Sequence, residues 1–146
     1  MEIIRSEEIE SALKSEYRQY LTGHLERAQP HMKSIDTDIE VGISDYQVFT
    51  ADTPHFHPVC TEHGYVLRGR VKLLLLNEDI REIELCPGDY FVLQPGEPHA
   101  TKNDAGTRVM FIKHPSTNDK TAVMVDKPLQ KWMASWEACW NQPSNE

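Results

Sequence analysis

Four side chains able to bind a metal fall at short, regular spacings in one part of the chain. His55 and His57 stand two apart, Glu62 comes after four intervening residues, and His99 follows the turn-forming pair Pro95-Gly96. On a β-strand, residues i and i+2 face the same side. His55 and His57 can therefore aim at one point inside a sheet or barrel, and Glu62 can return to it on the next strand. A Pro-Gly turn ends one strand and starts another, which brings up His99. Three imidazoles and one carboxylate make a ligand set for one divalent transition metal: Fe, Mn, Ni, Co, Cu or Zn. Four protein ligands leave two of six positions open. Imidazole binds metal only when neutral, so loading is expected to weaken as pH falls through roughly 6.5.

Neighbouring residues are read against blander roles. Strand alternation turns His63 away from the Glu62 face, and His24, His31 and His114 are read as surface residues. Cys60, between His57 and Glu62, is read as an inert loop cysteine rather than a redox handle. Phe56, Tyr65, Tyr90, Arg68 and Lys102 lie near the ligands and are candidates for a cavity lining. Parity puts Gly64 and Val66 on the Glu62 face, where Gly64 would leave space beside a metal. An inward Arg68 would suit a carboxylate or phosphate, whereas the outward reading makes it an ordinary solvated charge.

These residues need strands to hold them. Residues 39–43 and 46–48 alternate, and 51–54 bend toward His55. Pro54 and Pro58 bracket the two histidines. Residues 62–76 read as one long strand or two broken near Gly69, and 80–85 return as a hairpin partner. Residues 90–93 read as a buried strand, 108–113 as another, and 121–125 as the last. Short strands with Gly, Pro and Asn turns indicate a sandwich or barrel.

Helices are expected at both ends. Residues 6–26 carry Ile9, Leu13, Tyr17, Tyr20, Leu21 and Leu25 at three- and four-residue steps, with Ser6 as N-cap and Pro30 as the stop. Residues 129–141 place Trp132, Trp136 and Trp140 four apart, a stripe read as core or as an oligomer contact. The expected organisation is one domain: a helical segment over 1–30, a barrel over 31–126, and a helix and frayed tail over 127–146.

Composition excludes several functions. The 146 residues carry a formal net charge of −8, which argues against nucleic acid and anionic membrane surfaces. No apolar run approaches the ~20 residues of a membrane span, and the N-terminus lacks the basic flank and apolar core of a signal peptide. Cys60, Cys86 and Cys139 form neither a disulfide framework nor a C-x-x-C site, so a reducing, cytoplasmic setting is expected. No G-x-S-x-G elbow or phosphate-cradling glycine loop occurs, so any chemistry has to run through the metal.

Residues 55–69 and 88–103 resemble the two motifs of the cupin superfamily. His55, His57, Glu62 and Gly69 match the first; Gly88, Asp89, Pro95, Gly96, Pro98, His99 and Asn103 match the second. The glycine expected before the first histidine is absent, and Gln94 stands where proline is common. The resemblance implies a small antiparallel jelly-roll β-barrel, which with the N-terminal and C-terminal helices read above makes an all-β fold with flanking helices. It implies metal ligands at His55, His57, Glu62 and His99, and a homodimer. It also implies an enzyme of dioxygenase, isomerase or lyase type on a small oxygen-rich substrate such as a sugar, keto acid or diol. The alternative is a non-catalytic small-molecule or sugar-binding module. No residue is assigned as catalytic.

Overall fold

The computed structural model describes residues 1–26, 29, 31–32 and 34–140. Pro30 and the tail beyond Trp140 lie outside the described residues, and with them the expected helix stop and the frayed end. In chain order the elements are α1 (Ser6–Ser15), β1 (Arg18–Thr22), β2 (Glu40–Tyr46), β3 (Thr50–Ala51), β4 (His55–Phe56), β5 (Thr61–Arg68) and β6 (Val71–Leu75). There follow β7 (Arg81–Leu85), β8 (Tyr90–Leu93), β9 (His99–Asn103), β10 (Thr107–His114), β11 (Thr121–Ala122) and α2 (Lys127–Met133). One sheet runs β1-β2-β10-β5-β8, and the other runs β11-β4-β9-β6-β7 with β3 added on β9. The paired strands are antiparallel throughout. This is a jelly-roll, with one difference from the expected barrel: among the described residues no ladder joins the two sheets. The strands that would carry a ladder round the corner, β3, β4 and β11, are two residues each. Pro54 and Pro58, which lack an N–H, flank β4 and stop it from lengthening.

Period-two alternation accounts for the core. Val66, Val71, Leu73, Leu85, Leu93 and Val109 point between the sheets and form one buried cluster. Leu74 points the other way and is buried with Ala100, Leu129 and Trp132, under α2. Covering both faces is why Leu73, Leu74 and Leu75 of β6 follow one another as an apolar run rather than alternating with polar residues.

Two helices are shorter than the sequence periodicity predicts. α1 stops at Ser15, and the following residues become β1, paired with β2 from Arg18↔Ser44 to Thr22↔Val41. Its N-cap is Arg5 rather than Ser6, with the Glu8 carboxylate accepting the Arg5 backbone N–H at 2.7 Å. The sheet offers β1 a ladder along β2, with a register shift between Tyr20 and Thr22, and Arg18 and Tyr20 turn inward to line the cavity. Tertiary pairing thus overrides a helical apolar period. α2 ends at Met133, so the three tryptophans do not share a helix. Trp132 is core, donating from Nε1 to Glu82 Oε2 at 2.9 Å, while the Trp136 ring lies against Arg70 and Lys72. Lys102 explains the break. Its fully buried ammonium donates to the carbonyls of Trp132, Ser135 and Ala138 at 2.9, 2.8 and 2.6 Å, gathering the end of the helix onto β9. Lys102 therefore faces away from the cavity.

Candidate metal centre

The four predicted ligand residues are brought to one cavity of about 250 Å³ between the sheets. His55 lies on β4 and pairs in register with His99 on β9. Their rings are 4.4 Å apart between centroids, and the His57 ring is 5.0 Å from that of His55. Gly96 fixes the approach of β9: with φ +83° it takes the left-handed conformation, and its N–H donates to the His57 carbonyl at 2.8 Å. Donor atoms of His55, Glu62 and His99 lie within 4.8 Å of one another. His57 joins through Nε2, 3.3 Å from Glu62 Oε2.

Hydrogen bonds on the far side of each ring decide what faces the cavity. His55 Nδ1 meets the Thr53 carbonyl at 2.7 Å and His99 Nδ1 meets the Glu97 carbonyl at 3.0 Å. A carbonyl only accepts, so both Nδ1 atoms carry the proton and both Nε2 atoms hold a free lone pair. His57 Nδ1 donates to Asp119 Oδ1 at 2.8 Å. Asp119 is held in turn by the backbone N–H groups of Val59 and Cys60, at 2.9 and 3.0 Å from Oδ2. His57, Cys60 and Asp119 also come close enough to form a ligand group of their own. Asp119 already accepts three hydrogen bonds, so it orients His57 rather than offering itself to an ion. Glu62 Oε2 is buried and accepts no hydrogen bond among the described residues. A buried carboxylate oxygen without a hydrogen bond, beside the Nε2 atoms of three imidazoles, is a donor set that fits a divalent cation.

Titration follows from these contacts. Burial, then the neighbouring His99, pushes His55 down to about 3. Burial also lowers His99. Both rings are neutral at neutral pH. Burial works against a charged His57, but its contacts with Cys60, Glu62 and Asp119 outweigh that and raise it to about 10. Glu62 is opposed by burial but held down to about 2, chiefly by His57. Without a metal, the His57 proton is what neutralises Glu62.

The other expectations divide. His63 faces outward as parity predicts, contacting Tyr90 Oη through Nδ1 at 2.5 Å and His114 Nε2 through Nε2 at 2.9 Å. Arg68 points outward and binds Asp45 Oδ2 at 2.8 Å. Tyr65 and Tyr90 are exposed and do not line this cavity, and Cys60 is buried beside His57. Gly64 faces inward, but the space it leaves is filled: a Cβ there would run into the Phe91 ring, which walls the cavity. Asp119, Lys120, Arg18, Glu40 and Lys113 were not singled out by sequence reasoning. They lie outside the two motifs, and only the fold brings them to the ligands.

The family model described as Cupin domain matches residues 42–113. "Germin-like protein subfamily T member 3" of Arabidopsis thaliana is 36% identical over 78 residues, 49% of this chain. The chain spans only 34% of that relative's length. Among solved structures, KdgF from Halomonas sp. superposes with a TM-score of 0.51 at 24% identity, over 57% of this chain and 74% of that one. Oxalate decarboxylase from Bacillus subtilis superposes at 0.54 and 14% identity, over 60% of this chain and 24% of that one. At these identities the likeness to both is one of fold.

Proposed function

Because the chain is a member of the cupin superfamily through its matched domain, we propose that it binds one divalent transition metal at His55, His57, Glu62 and His99 and uses it enzymatically on a small oxygen-rich substrate. The observation that carries this reading is the inward set of three imidazole Nε2 atoms around the buried Oε2 of Glu62, which accepts no hydrogen bond among the described residues. When bound, such an ion supplies Lewis acidity and, if it is iron or copper, redox chemistry. The chain's own residues do the rest. Asp119 orients His57, and Phe91, Leu93 and Phe111 wall the cavity apolarly and limit water. Lys113, paired with Glu40 at 2.7 Å, and Arg18, paired with Asp52 at 3.8 Å, give the wall fixed dipoles. A volume of about 250 Å³ suits a substrate of sugar, keto-acid or diol size. Cys60, Cys86 and Cys139 are free, in keeping with a reducing, cytoplasmic setting. Among the described residues no helix is long and apolar enough to cross a membrane.

The test is elemental analysis of protein purified without added metal, followed by oxygen-uptake and isomerase or lyase screens on sugars, keto acids and diols. Iron with oxygen uptake supports a dioxygenase; turnover without uptake supports an isomerase or lyase. Metal retention with ligand binding and no turnover would replace the enzyme by the non-catalytic binding module. A protein that retains no metal and takes none up would end the reading.

A further inference from the structure

The cavity's charges pair off, with one exception. Asp52 faces Arg18, Glu40 faces Lys113, and Glu62 and Asp119 flank His57. Lys120 lines the same cavity and, among the described residues, forms no hydrogen bond or ion pair. It stands exposed between Asp119, which holds His57, and β11, whose Ala122 pairs with His55. Its backbone is thus anchored on both sides to ligand residues, and its ammonium is left free.

A bound divalent ion sharpens this imbalance. The ion is held by neutral imidazoles, so its two charges are met by Glu62 and by Asp119 behind His57. Lys120 then leaves one positive charge in excess, because the Arg18–Asp52 and Lys113–Glu40 pairs cancel. A locally cationic pocket in a chain of net charge −8 is placed to attract an anion. Resting on the metal reading above, we propose that the ligand is a small carboxylate anion and that Lys120 is the residue that selects its charge. One end of the molecule meets the Lys120 ammonium, and an adjacent oxygen faces the ligand cluster. Neutral sugars and diols then become the disfavoured members of the substrate range.

The experiment uses the full chain loaded with Co2+, with glycolate and ethylene glycol as probes of matched size and different charge. Calorimetry measures Co2+ affinity first and the affinity for each probe second, for wild type, Lys120→Gln and Lys120→Arg. Glycolate should bind at least about tenfold tighter than ethylene glycol, the scale of one charge-assisted hydrogen bond. Lys120→Gln should lose that preference while holding Co2+ as wild type does, and Lys120→Arg should keep most of it. Unchanged glycolate binding in Lys120→Gln with Co2+ affinity intact overturns the assignment and leaves the metal reading standing. So does equal binding of both probes, or binding of neither by the Co2+-loaded wild type. Failure of the wild type to take up Co2+ removes the metal reading and this proposal together.

Discussion

His55, His57 and His99 share a chemistry but not an environment, and the difference sets how the site responds to pH. His55 and His99 donate to carbonyls and are held neutral by burial, so an incoming metal displaces no proton from either. His57 lies between two carboxylates and is raised to about 10. Metal uptake near neutral pH should therefore release about one proton per ion, and affinity should rise about tenfold per pH unit as pH increases toward 10. This replaces the shared three-proton competition near 6.5 that the histidine count alone suggests. Calorimetry in buffers of different ionisation enthalpy counts the protons; a count near zero or three would refute the assignment. Asp119→Ala removes the group that fixes the His57 ring and should weaken metal binding about ten- to hundredfold, the usual scale for a partner behind a ligand. Metal affinity within twofold of wild type would show that His57 needs no such support. That His55, His57, Glu62 and His99 meet in one cavity was legible because each sits at a local spacing that one strand or one turn enforces. Asp119 was not, because its bond to His57 spans 62 positions and only the return of β11 to β4 creates it.

At the level of elements, Lys102 ties β9 to the end of α2, and Gly64 of β5 makes room for Phe91 of β8. Lys102→Met keeps the length of the side chain but strips the hydrogen bonds from three carbonyls at the end of α2. It should destabilise the fold by roughly 2–4 kcal/mol in urea denaturation. A loss under about 0.5 kcal/mol would mean that water replaces the ammonium at no cost. Gly64→Ala drives a methyl into the Phe91 ring and should cost about 1–3 kcal/mol while narrowing the cavity. Several strands were readable from alternation, and the β6–β7 hairpin from residues 80–85 returning beside the strand before them. The helix ends were not. Tyr17, Tyr20 and Leu21 suit a helical stripe and a strand equally, and the free edge of β2 decides between them. At the other end, the carbonyls gathered by Lys102 end a tryptophan period that the sequence alone would continue.

For the whole molecule, the same titrations set a stability profile. The unfolded chain protonates His55 near 6.5 and the folded chain only near 3, so metal-free protein should lose up to about 1.4 kcal/mol per pH unit across that window. His57 works in the other direction: its contribution is complete below about 6.5 and is lost as pH rises through about 10. The metal-free Tm should therefore peak near pH 6.5, and a Tm that climbs steadily from pH 5 to 9 would contradict the histidine environments. Tyr65, Leu67 and Tyr90 are exposed large side chains on the β5–β8 part of the first sheet. A homodimer is expected, and a monomer by light scattering at high micromolar concentration would refute it. The central claim is that His55, His57, Glu62 and His99 hold one metal ion in a fold that does not depend on it. The most direct measurement is metal content by elemental analysis, with a thermal melt, for wild type and His57→Ala. About one ion per wild-type chain, and a cooperative melt for a His57→Ala protein that has lost most of its metal, is the predicted result. Full occupancy in His57→Ala would contradict the account.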